Sequence, residues 1–121
     1  MVGKKVGAVG RPVKSGEYVI KFANNKAQRG WVDLVATQRN AAVDAWDFLT
    51  RSPEFQDERR CYPLKGRLAE VVVDGVGYRR WQYKPTIKGS ARIWYAVHHE
   101  RPGGGIVYLE RVDTSHPNET K

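Results

Sequence analysis

The chain has 121 residues, of which 40% are hydrophobic and 11% aromatic. That length and composition fit one globular domain and exclude an intrinsically disordered chain. With 21 Lys and Arg against 13 Asp and Glu, the net charge is +8, which suits a polyanionic partner, either nucleic acid or an anionic membrane surface. A single cysteine, Cys61, excludes an internal disulfide and a structural zinc site and is compatible with a reducing cytosol. No apolar run reaches the roughly 18 residues of a membrane span. A cytoplasmic domain is expected.

Residues 1–16 are expected to form a flexible basic tail. Lys4, Lys5, Arg11 and Lys14 sit there among Gly, Val and Pro, without the apolar stretch of a signal peptide. Residues 17–121 are expected to form a single domain. Residues 17–23, EYVIKFA, are short and β-rich and predict the first strand, with a turn at 24–26. From Trp31 the period changes. Trp31, Leu34, Val35, Gln38, Ala42, Ala45, Trp46 and Leu49 recur at helical spacing and predict an amphipathic helix. Arg39 and Asn40 divide this run into a helical hairpin, with Asn40 as the second N-cap. Ser52 precedes Pro53 and is pushed out of the α region, which ends the run.

The second half reads as strands at 67–74, 78–85, 91–99 and 106–113, after a turn at 64–66. Short Gly-bearing turns at 75–77, 88–90 and 102–105 separate them and predict a four-stranded antiparallel meander. An N-terminal strand, a helical hairpin and then the meander make an α+β two-layer domain.

Charge follows the same division. From Trp31 to Glu58 there are six acids and two bases; from Gly75 to His99 there are five bases (Arg79, Arg80, Lys84, Lys88 and Arg92) and no acid. Two layers turn this into an acidic helical back and a basic sheet face, which orients a polyanion. Strand alternation puts Arg80, Gln82 and Lys84 on one face and Arg79, Trp81 and Tyr83 on the other. Ile93, Tyr95 and Val97 suit the core, so Arg92 and Trp94 join the outer face. Cations interleaved with an aromatic ring suit single-stranded RNA, with phosphates on Arg and Lys and bases on the ring. The bland alternative is a solvated face whose Trp94 packs against a terminal segment.

Neighbouring residues on a strand point to opposite faces, so His98 and His99 do not share a metal, and no Cys or carboxylate stands beside them at ligand spacing. No metal or cofactor is expected. RNA cleavage by the substrate's own 2′-hydroxyl needs a group that titrates near neutrality and cations for the scissile phosphate. His116, just after the last strand, is the candidate, with Pro117 stiffening its turn; the alternative is an ordinary exposed loop residue. Gly103 to Gly105 joins two strands and reads as a hairpin tip, not a phosphate loop. Cys61 reads as a small buried or edge residue in preference to a nucleophile.

The segments Leu64-Lys65-Gly66-Arg67-Leu68, Ala91-Arg92-Ile93-Trp94-Tyr95-Ala96-Val97 and Ile106-Val107-Tyr108-Leu109 resemble the pattern of the RelE/ParE superfamily of bacterial toxin–antitoxin toxins. So does the order of elements, over about residues 16 to 121. The resemblance implies a RelE-like mRNA endoribonuclease that inhibits translation, often on the ribosome, and is neutralised by a bound cognate antitoxin. It implies Arg92 as the arginine of the R-h-x-Y strand (h being apolar), Arg80, Gln82 and Lys84 as the basic positions of the preceding strand, and His116 as the residue after the last strand. Gln82 departs from the family's cation there, and the C-terminal Tyr of several members has no counterpart. The catalytic set expected is Arg92, His116, Lys84 and Arg80, with Gln82, Trp94, Arg79 and Lys88 on the RNA. Two other readings stand beside it: a ParE-like inhibitor of a DNA topoisomerase, and an RNA-binding or regulatory module that does not cut.

Overall fold

A computed structural model describes residues 12–14 and 16–114. Most of the expected basic tail lies outside the described residues, as does His116. The first element of the described residues is strand β1 (Tyr18–Phe22), followed by helices α1 (Asn25–Thr37) and α2 (Arg39–Arg51). Helix α1 starts six residues ahead of the apolar period, at the expected turn. The Asn24 side chain accepts from the Ala27 N–H at 2.7 Å, so a residue with turn chemistry serves as an N-cap. The helical hairpin forms, but its break falls at Gln38 (φ −143°), just before the expected Asn40 cap. Helix α2 ends at Ser52, ahead of Pro53.

The strands that follow are β2 (Cys61–Pro63), β3 (Glu70–Val73), β4 (Val76–Arg79), β5 (Trp81–Tyr83), β6 (Arg92–Arg101) and β7 (Gly104–Asp113). They give the expected α+β order. Among the described residues, the main sheet has five strands in the order β1-β7-β6-β5-β2, while β3 and β4 form a separate hairpin. Strand β1 runs parallel to β7, and the other pairs are antiparallel.

The meander differs from expectation in two places. The first expected strand becomes a 3-10 turn at Gly66–Leu68 followed by β3. The second is divided at Arg80 into β4 and β5. The Arg80 N–H donates to Ala69 O and its carbonyl accepts from Leu64 N, so the chain crosses there from the hairpin into the main sheet. The hairpin turn is Asp74 (φ 52°) and Gly75 (φ 80°), two left-handed residues as a type I′ turn requires.

Both helices cover one face of the main sheet. Leu34, Ala45 and Leu49 meet Trp81, Tyr83, Ile93, Tyr95, Val107 and Leu109 in one core. Trp31 and Trp46, at the margin of the helical stripe, line a surface groove with Val35, Ala42 and Val43. The β3–β4 hairpin folds over part of the opposite face. Its Val71 and Val73 pack against Ala96, which is 0% exposed, with Tyr78 and Tyr108 at the side. A methyl group at position 96 lets the hairpin approach closely. Among the described residues, no helix is long and apolar enough to cross a membrane.

Cys61 is fully buried in the edge strand β2. Its Sγ lies 3.0 Å from the Tyr95 hydroxyl, which donates to Pro53 O at 2.6 Å. Burial pushes the thiol up from 9.0 to about 11 and raises Tyr95 well above its ordinary value. The folded state therefore keeps a proton that the unfolded chain releases above about pH 9. This contribution is fully present below that pH and is lost as pH rises toward about 11. The urea midpoint is expected to fall across this window. The Cys61→Ala variant should show a shallower fall, and an unchanged slope would remove the thiol as its source.

Candidate nucleic-acid interface

The hairpin leaves uncovered the part of the sheet face around Trp94. This residue lies between Gln82 of β5 and Arg111 of β7. Its indole N–H donates to Gln82 Oε1 at 2.8 Å, and Gln82 Nε2 donates to the Tyr62 hydroxyl at 2.8 Å. A polar chain thus crosses β6, β5 and β2. Gln82 is only 8% exposed, and burial of its amide is compensated by using both its ends. A lysine or arginine lacks the acceptor that holds the indole. Gln82 therefore organises this face by hydrogen bonding and not by charge.

Two guanidinium groups lie over the Trp94 ring, Arg80 at 5.0 Å and Arg111 at 5.1 Å from its centroid. Arg80 also forms a two-point pair with Glu110, with Nε and Nη2 each 2.8 Å from a carboxylate oxygen. These side chains are 13% and 20% exposed, so the charge of Arg80 is compensated in place. Arg111 donates through Nε to Asp113 at 2.8 Å. The expected open stacking platform at Trp94 is thus a ring already covered by cations.

A β-bulge produces this arrangement. Trp94 pairs with Arg111 but Tyr95 pairs with Leu109, so Glu110 is the extra residue on β7. Simple alternation sends Arg111 to the core side with Leu109. The bulge instead gives the inward place to Val112, which is 6% exposed. The three-residue step from Leu109 to Val112 is the sequence signal that marks it.

Lys84 reaches the same face, with Nζ 5.7 Å from the Tyr62 ring centroid. Arg92 lies on it by alternation with Trp94. Its Nη1 donates to Gly89 O at 3.2 Å and Ala91 O at 2.8 Å, which fixes the guanidinium against its own loop. Lys26, in the first turn of α1, lines a cleft with Trp94, Glu110, Arg111 and Asp113.

Of the residues expected from the sequence, the fold gathers Arg80, Gln82, Lys84, Arg92 and Trp94 on one face. Lys88 is exposed on the loop before β6. Arg79 stands elsewhere, opposite Glu70 on the hairpin. Tyr62, Glu110, Arg111 and Lys26 join this face beyond the residues expected from the sequence. A three-residue strand containing a proline carries too little pattern to reveal Tyr62.

The two described histidines are engaged outside this cluster, on opposite faces of β6. His98 Nδ1 pairs with the Tyr78 hydroxyl at 3.1 Å on the hairpin side. His99 pairs with the Tyr18 hydroxyl at 3.2 Å and with Glu54 at 2.9 Å. Among the described residues, no three His, Cys, Asp or Glu side chains are grouped to hold a metal ion. No family model matches the chain, and no curated protein and no solved structure matches it either.

Proposed function

We propose that this chain is a RelE-like, metal-independent endoribonuclease that cuts mRNA, acts in association with the ribosome and is neutralised by a cognate antitoxin. The observation that carries this reading is that Lys84, Arg92 and Arg111 stand on the same uncovered sheet face as Trp94, with Arg111 over its ring. A polyanionic strand laid there meets fixed cations, and a net charge of +8 favours its approach. The sequence resemblance supplies the reaction class.

In that reaction the 2′-oxygen of the substrate attacks the adjacent phosphorus and the 5′-oxygen leaves. A 2′,3′-cyclic phosphate and a 5′-hydroxyl result. Arg92 and Lys84 stabilise the charge that builds on the non-bridging oxygens. His116 takes the 2′ proton or supplies one to the leaving oxygen. Arg80, balanced by Glu110, chiefly positions Trp94 and adds less to phosphate binding than the sequence suggested. The engagement of His98 and His99 away from the cations favours a second reading, an RNA-binding module without cleavage.

The test is induction of the chain in a bacterial host, with mapping of new mRNA 5′ ends, beside Arg92→Ala and His116→Ala. Growth arrest with new cuts, both lost in the variants, is expected. Arrest without cuts would instead identify a ParE-like topoisomerase inhibitor. Neither arrest nor cuts would leave the binding module.

A further inference from the structure

We infer that the groove at the β2 edge is a nucleobase subsite with a preference for guanine, adjoining the phosphate-binding cations; this rests on the RNA reading above. The Trp94 ring is covered by Arg80 and Arg111, and its N–H is held by Gln82. A base entering this face therefore needs another ring. Tyr62 is the next aromatic outward, on the edge strand of the sheet. Its hydroxyl is held by Gln82 and its ring lies 5.7 Å from Lys84 Nζ. A nucleotide whose phosphate meets Lys84 carries its base to this ring.

Tyr62 lines a groove of about 550 Å³ together with Gln56, Glu58, Pro63, Leu64 and Lys65. Pro63 and Leu64 supply apolar wall, and Glu58 and Lys65 supply opposite charges. Guanine matches that pair. Its N1–H and N2–H donors suit a carboxylate, and its O6 and N7 acceptors suit an ammonium group. Adenine and cytosine turn a ring-nitrogen acceptor toward a carboxylate, and uracil offers a single donor between two carbonyls.

The groove shares a frame with the cations. Asp57 and Cys61 exchange both backbone hydrogen bonds at 2.8 Å, closing the turn that carries Glu58. Lys84 N donates to Arg60 O at 2.8 Å, tying that turn to the strand bearing Lys84. The turn that carries Glu58 and the strand that carries Lys84 are therefore held at a fixed backbone separation.

The experiment measures binding of the full chain to fluorescent 2′-O-methyl oligonucleotides, which offer no free 2′-hydroxyl for cleavage and differ at one central base. Guanine is expected to bind about fivefold more tightly than adenine or uracil, with inosine, which lacks the N2 amine, in between. Glu58→Ala removes the acceptor for guanine, so affinity for the guanine oligonucleotide falls to the level of the others, while loss of an exposed acid leaves affinity for adenine and uracil oligonucleotides equal or slightly higher. Equal affinity for all bases in the unaltered chain would overturn the inference while leaving the RNA reading standing. So would a preference that survives Glu58→Ala. Failure of every oligonucleotide to bind at low salt would overturn the RNA reading and the inference with it.

Discussion

Replacing Gly30 by alanine is expected to destabilise the protein by about 3 kcal/mol, the upper part of the range for overpacking. Helix propensity predicts the opposite sign, since alanine in a helix interior is favoured over glycine by about 1 kcal/mol. The tertiary contact decides. A Cβ on Gly30 would lie 2.0 Å from Val112 O and 3.0 Å from Val112 Cβ. The obstacle is the backbone of a strand paired with β6 through Ile93 and Val112, so it cannot rotate aside as a side chain would. Relief requires α1 to lift from β7, which opens space around Ala27 and Leu34, both 0% exposed. Urea unfolding of Gly30→Ala beside the unaltered chain measures this. A midpoint equal to or above the parent's would show that the helix accommodates the methyl group and that the close approach does not govern stability.

The largest functional effect is expected from removing Lys84, Arg92 and Arg111 together. Each phosphate neutralised on a single strand contributes about 0.7 to the slope of log affinity against log salt, so the triple alanine variant should lower that slope by about 2. Affinity for a single-stranded oligonucleotide at low salt should fall by roughly two orders of magnitude. Arg80→Ala should behave differently. Glu110 balances Arg80 in a largely buried two-point pair, whereas the Arg111–Asp113 pair is a single exposed contact that phosphate can displace. For Arg80→Ala the slope should therefore move little, while stability falls because a largely buried carboxylate loses its partner. Replacing Arg29 and Arg39 on the helical layer supplies the control for general charge. A triple variant with the parent's slope, or a helical-layer pair with the same effect, would place RNA elsewhere or nowhere on this molecule.

These two effects separate what was legible in the residues from what was not. The helical period from Trp31 to Leu49 placed Leu34, Ala45 and Leu49 in the core, because a 3.6-residue repeat has one apolar solution in a two-layer domain. Alternation in 91–97 likewise placed Ile93 and Tyr95 inward and Trp94 outward. The cation-rich second half identified the basic face, and Arg80, Lys84 and Arg92 do share it. These properties depend on each residue's own chemistry and its near neighbours, so they can be read from the residues alone.

Other features depend on contacts between distant segments and emerge when the chain is folded. Arg80 divides a strand because Ala69 and Leu64 claim its backbone groups, which local pattern does not reveal. The β3–β4 hairpin covers Ala96 and Tyr108 because its valines need an apolar surface, and so it sets which part of the basic face stays open. Glu110 and Arg111 come to one side through a bulge against Trp94 and Tyr95. Tyr62 enters through pairing with Gln82, twenty residues downstream. Residue type and period fixed which groups face outward. Pairing register, the bulge and the covering hairpin fixed which of them meet, because long-range hydrogen bonding and burial are satisfied jointly across the sheet rather than segment by segment.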